Sequence, residues 1–118
     1  MKEIIRNSYL ENENILIVGY GKSGVKSSEL AKRLGATVFV YDDNKDVEVN
    51  KKVVDKIYNN IEDIDFTNIN ITVLSPGVPL ESDIAQKSIK SGVETIGEIE
   101  FGFRYSYRNN TCDNRNKW

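Results

Sequence analysis

The stretch Asn14–Gly24 (NILIVGYGKSG) constrains the fold more than any other part of the 118-residue chain. Its opening run is short, apolar and β-branched, which reads as a buried strand. Gly19, Gly21 and Gly24 then space a G-x-G-x-x-G turn,. From Ser23 to Leu34 the residues Val25, Ser28, Leu30, Ala31 and Leu34 recur at helical spacing, with Ser23 as N-cap and Gly35 as the stop. Strand, glycine turn and helix in that order commit the chain to a βαβ unit with a parallel, doubly covered sheet.

The rest continues the alternation. Thr37–Tyr41 is a second buried strand, ended by Asp42-Asp43-Asn44. Val47–Tyr58 carries Val49, Val53, Val54 and Ile57 on a helical period and predicts a second helix, against its β-branched content,. Ile69–Leu74 is a strand that runs into Ser75-Pro76-Gly77, which cannot prolong it,. Ser82 caps a helix over Asp83–Lys90 that turns Ile84, Ala85, Ser88 and Ile89 inward and stops at Gly92,. Glu94–Ile96 is a last short strand, and Glu98–Tyr107 a last helix. The expected class is α/β: a Rossmann-like open parallel sheet with helices on both faces, one domain over residues 1–108. Residues 109–118 have no period and almost nothing apolar, which predicts a disordered tail,.

Composition narrows the function. Sixteen basic against eighteen acidic residues leave a formal charge of −2, a balance unsuited to nucleic acid or anionic lipid. The apolar runs Ile15–Val18 and Val38–Tyr41 are four residues each, against the ~20 of a membrane span. A charged start (Met1-Lys2-Glu3-Ile4-Ile5-Arg6) without a signal core and a single cysteine, Cys112, make a cytoplasmic location the expectation,. With no histidine, the commonest general base and metal ligand is missing. Glu98 and Glu100 diverge by about 200° on a helix and read as first-turn carboxylates, not as an acid–base pair. No catalytic residue and no metal site is expected, so the chain reads as a binding domain.

Right-handed crossovers put the C-terminal ends of all strands on one edge, where open α/β sheets bind ligands. Three features fall there. In the first, Gly19, Tyr20, Gly21, Lys22, Ser23 and Gly24 bring backbone N–H groups toward a phosphate at a helix N-terminus. Lys22 adds a point charge there or stays solvated; the plainer alternative for the whole segment is a strand-to-helix turn. Asp42, 21 residues past Gly21, can accept a ribose hydroxyl, as in NAD-binding domains, or an N–H from a base. Otherwise it is a loop acid or helix cap, and Asp43 shares these options or faces away. Ser75, Pro76 and Gly77 either hold backbone groups toward a ligand or form only a turn.

Taken together, Ile15–Gly24 (ILIVGYGKSG), Tyr41-Asp42-Asp43, Leu74–Pro79 (LSPGVP) and Gly97–Phe101 (GEIEF) occur in an order and spacing that resembles the N-terminal domain of the MurD-type Mur ligases. The likeness runs from about Asn14 to Tyr105. It implies a Rossmann-like domain that holds the uridine diphosphate part of UDP-N-acetylmuramoyl-L-alanine. Gly21, Lys22 and Ser23 would sit at the diphosphate, Asp42 and Asp43 would border the uracil, and Ser75, Pro76 and Gly77 would line the same site. In that family ATP, with Mg, turns the substrate carboxyl into an acyl phosphate that the amine of D-glutamate attacks, on central and C-terminal domains. These 118 residues are therefore expected to hold no cofactor and to be inactive alone.

Where the family continues into a phosphate loop of the type ITGTNGKT, this chain has Thr111–Trp118. Back-translated and read one nucleotide later, that segment permits Val-Ile-Thr-Gly-Thr-Asn-Gly among other readings, so the expectation is a ligase truncated by a frameshifted tail, the alternative being a deliberately cut or naturally short chain. The last helix would then leave Phe101, Phe103 and Tyr105 partly bare, where a neighbouring domain packed, and favour self-association. Two other readings stay open: an NAD-binding regulatory module, and a functionless remnant of a broken ligase gene.

Overall fold

A computed structural model describes residues 10–110. The elements run β1 (Asn14–Val18), α1 (Lys22–Arg33), β2 (Thr37–Tyr41), β3 (Lys56–Tyr58), β4 (Ile71–Leu74), α2 (Asp83–Lys90), β5 (Glu94–Gly97) and α3 (Glu98–Asn110). Short 3₁₀ turns at Ile61–Asp63 and Phe66–Asn68 lead from β3 to β4. The strands form one sheet in the order β3-β2-β1-β4-β5, every pair parallel, with Ile15 opposite both Val38 and Ile71. This is the Rossmann-like α/β architecture that the alternation of strand and helix dictates.

The central strands are apolar along their whole length because both faces are covered. On one face Ile15, Ile17, Val38, Val40, Ile71 and Val73 pack against Leu30, Ala31 and Leu34 of α1 and Phe101 of α3. On the other, Leu16, Val18 and Leu74 meet Ile84 and Ala85 of α2, with Ile64 and Phe66 from the 3₁₀ region. Thr72, fully buried in β4, finds its partner in Ser88 of α2 at 2.7 Å, and Ser88 lies 2.8 Å from Thr95 of β5. Chain order reverses at β1, which has β2 on one side and β4 on the other. A crevice therefore opens where the two halves diverge.

Several expectations are corrected. Residues 47–55 form no helix, and Lys56–Tyr58 is an edge strand. Val54 is buried, and Val47, Val49, Val53 and Ile57 are partly buried against the core. The periodicity thus marked burial correctly but misjudged the element. Side-chain turns win over the helix: Asn44 Oδ1 accepts the Asp46 N–H and Asn50 Oδ1 the Lys52 N–H, both at 3.0 Å,. Asp55 then accepts the Val38 N–H at 2.8 Å, fixing the segment to β2.

Ser23 lies inside α1, and its cap is Gly21, without a capping side chain. Ser82 caps α2 as expected, accepting the Ala85 N–H, but Ile89 is 44% exposed and faces away from the core. Phe101 is fully buried, with its ring 5.1 Å from that of Tyr105; Ile99 and Phe103 carry the exposed apolar surface of α3. That helix runs to Asn110, two residues into the segment read as tail. Thr111–Trp118, with Cys112 and the frameshift reading, and the charged start Met1–Arg6 lie outside the described residues. Among the described residues no helix is long and apolar enough to cross a membrane.

Candidate functional site

At the reversal point a cleft of about 370 Å³ opens on the C-terminal edge of the sheet, within the roughly 300–1,000 Å³ range of small-molecule sites. Val18, at the end of β1, and Gly19 just past it line the cleft, as do Tyr41, at the end of β2, and Asp42 and Asp43 beyond it. Gly77, Val78 and Pro79 come from the loop after β4, Ser82, Asp83 and Ile84 from the start of α2, and Ile61 from the first 3₁₀ turn. The parallel topology brings these together because each strand ends on the same edge.

The glycine turn is built for close approach. Gly19 has φ +92°, a conformation that side chains rarely tolerate, and its N–H donates to the Tyr41 carbonyl at 2.8 Å,. A Cβ there would meet Ser75 Oγ at 2.9 Å. At Gly24 a Cβ would fall 1.9 Å from the Gly19 carbonyl oxygen, so this glycine is what lets α1 lie against the end of β1. Gly21 differs: it has φ −87° and nothing within 4 Å of an added Cβ. Neither the backbone conformation nor protein packing requires glycine at that position. Lys22 is exposed and Ser23 half-buried at the start of α1, whose first turn contains no acidic residue. Such a helix start presents N–H groups and positive potential to an anion.

Asp42 is held by the protein itself. Its Oδ2 accepts the Tyr20 N–H and its Oδ1 the Asn44 N–H, both at 2.9 Å. The Tyr20 ring is buried, and its hydroxyl accepts the Asn50 N–H at 3.3 Å. Ser75 Oγ donates to the Gly19 carbonyl at 2.9 Å. Asp42, Asp43 and Asp83 make the cleft acidic, and among the described residues no Lys or Arg lines it. Burial first, then the charges of Asp43, Asp42 and Glu62, pushes the Tyr41 phenol above its ordinary pKa,. An acidic cleft suits N–H and O–H donors, while the adjoining helix start suits an anion.

Of the residues expected from sequence, Gly19, Asp42, Asp43 and Gly77 line the cleft, and Tyr20 to Gly24 form the adjoining turn and first helical turn. Ser75 and Pro76 instead line a separate groove with Leu74, Leu80, Gly97 and Ile99; Val78 borders both cavities. Glu100 stays outside the cleft: with Glu94 it binds Arg104, each at 3.0 Å. Sequence reasoning missed Ile61, Ser82 and Asp83 as cleft residues. Ser82 and Asp83 carried a helix-start signal, whereas nothing local marks Ile61.

Residues 13–97 match the family described as Mur ligase MurD-like, N-terminal domain. The UDP-N-acetylmuramoylalanine–D-glutamate ligase of Caldicellulosiruptor saccharolyticus is 34% identical over 104 residues, which is 81% of this chain and 23% of the relative. The ligase of the same description from Trichodesmium erythraeum is 34% identical over 97 residues, 75% of this chain and 21% of the relative. The chain thus spans about a quarter of the length of these relatives. Shikimate dehydrogenase from Aquifex aeolicus superposes with a TM-score of 0.55 at 14% identity, covering 94% of this chain and 56% of that one. At that identity the likeness is one of fold.

Proposed function

The chain belongs to the MurD-like N-terminal domain family of the Mur ligases, and from that membership we propose that it binds the uridine diphosphate portion of UDP-N-acetylmuramoyl-L-alanine in the cytoplasm. One observation carries the reading: an acidic cleft lies beside a glycine turn whose central residue, Gly21, faces open space next to a helix start without acids. The nucleoside offers N–H and O–H donors to the cleft, and the diphosphate meets the N–H groups from Gly21 to Ser23 with Lys22 beside them. The acyl-phosphate chemistry of a full ligase, with ATP, Mg and D-glutamate, falls to parts of such an enzyme outside these residues. This domain then contributes binding and orientation alone, and we expect no turnover from it. The NAD reading fits less well, because residues 13–97 match the MurD-like N-terminal domain family.

Thermal unfolding with UDP-N-acetylmuramoyl-L-alanine, UDP and NAD in parallel tests the proposal. A ligand at a hundredfold excess over its dissociation constant stabilises the folded chain by about 2.7 kcal/mol. For a domain of this size that raises the midpoint by roughly 10 °C or more. A rise with both uridine nucleotides and not with NAD is expected. No rise with either uridine nucleotide, or a rise with NAD alone, overturns the proposal.

A further inference from the structure

The peptide unit joining Gly19 to Tyr20 is gripped at both ends. Its N–H donates to Asp42 Oδ2 from the end of β2, and its carbonyl accepts from Ser75 Oγ just past β4, each at 2.9 Å. The two partners thus reach in from the strands on either side of β1. Asp42 is itself anchored through the Asn44 N–H, and its carbonyl accepts from Asn59 Nδ2 at 2.9 Å. A flipped peptide would point its carbonyl at a carboxylate, so a fixed acceptor on one side and a hydroxyl donor on the other allow one orientation. That orientation sets the direction of the next N–H groups, from Gly21 into α1.

Resting on the uridine nucleotide reading above, we propose that Asp42 and Ser75 are positioning residues: they clamp the Gly19–Tyr20 peptide so that the following N–H groups face the diphosphate. Asp43, which lines the cleft, is then the β2 acid that meets the nucleoside. Asp42 acts through the turn, although its place at the end of β2 is where a ribose-binding acid stands in dinucleotide folds.

The clamp is separated from direct contact by measuring affinity for UDP and for uridine in the intact chain, by NMR titration. In Asp42→Ala the advantage of UDP over uridine falls by about tenfold, the scale of one hydrogen bond to a charged group. Ser75→Ala lowers that ratio in the same direction, whereas Asp43→Ala weakens both ligands by the same factor and leaves it unchanged. The Tyr20 amide exchanges faster in Asp42→Ala than in Asp43→Ala. A general loss of structure would weaken both ligands alike, so the ratio reports positioning. Should Asp42→Ala fail to fold, Asp42→Asn, which keeps one acceptor oxygen, gives a smaller fall in the same ratio. Equal weakening of UDP and uridine in the folded Asp42 variant, or an unchanged Tyr20 amide, overturns the clamp and leaves the uridine site standing. A wild-type chain that binds neither ligand overturns the functional reading, and this inference with it.

Discussion

Gly21 and Gly24 sit three residues apart in one motif, yet alanine at the two positions should have opposite consequences. At Gly24 the new methyl would lie 1.9 Å from the Gly19 carbonyl oxygen, 3.0 Å from its carbon and 3.5 Å from Ile17 Cγ2. Ordinary contact begins near 3.4 Å, so α1 must retreat by about 1.5 Å from backbone that cannot yield. That retreat loosens Leu30, Ala31 and Leu34 from Ile15 and Ile17. Replacing a helical glycine by alanine would alone gain about 1 kcal/mol. Overpacking costs about 1–3 kcal/mol, and more where the obstacle is main chain. A net loss of about 2 kcal/mol follows, roughly 8 °C in melting temperature for a domain of this size.

Gly21→Ala adds a methyl that, apart from its chain neighbours, meets no atom of the described residues within 4 Å. It gains about 0.4–1 kcal/mol from a stiffer unfolded chain and loses a similar amount as alanine replaces glycine at the helix N-cap. Its stability should therefore lie within about 1 kcal/mol of wild type, while affinity for UDP falls by about tenfold or more as the methyl fills the proposed phosphate approach. Calorimetric unfolding and UDP titration of both variants check this. A Gly24→Ala chain melting with the wild type would refute the packing of α1 on the Gly19 carbonyl. Wild-type UDP affinity in Gly21→Ala would refute the assignment of that open space to a ligand.

Two further outcomes concern pH. Burial raises the Asp55 carboxyl, but the hydrogen bond from Lys32, the Val38 N–H and the Lys32 charge together hold it below its ordinary value of 3.8,. A carboxyl depressed in the folded state stabilises above its unfolded value, and that contribution fades as pH falls through the folded one. Asp55→Asn should accordingly be less stable than wild type at pH 7, with the gap closing near and below 3.8; urea unfolding across that range would refute this by a constant gap. The Tyr41 phenol, raised by burial and then by Asp43, Asp42 and Glu62, should titrate above 10.0 by NMR, and Asp43→Asn should bring it down. Because folding favours its protonated form, the stability linked to Tyr41 is lost as pH rises beyond 10.0. An unmoved midpoint in Asp43→Asn would remove Asp43 from its surroundings.

Much of this protein was legible before any coordinate. Strand, glycine turn and helix from Asn14 to Arg33, the strands at Thr37–Tyr41 and Ile71–Leu74, and the Ser82-capped helix are stated by local rules: β-branched runs, helical spacing, caps and breakers act over a few residues. The edge that gathers Gly19, Asp42, Asp43 and Gly77 also followed from sequence, since the strands of a parallel sheet all end on the same edge,. Val47–Tyr58 was not legible. Apolar spacing records which side chains are buried, and a loop pinned by Asn44, Asn50 and Asp55 can bury the same valines as a helix. Nor did the motif show what Asp42 and Ser75 do. Asp42 finds its partner Tyr20 across 22 positions, and Ser75 finds Gly19 across 56. Sequence by itself determined which strand ends share the cleft's edge, because local propensity and topology are written along the chain. Only the tertiary structure decided which residues line the cleft and which hold the glycine turn, because hydrogen-bond partners are chosen among groups that meet after folding.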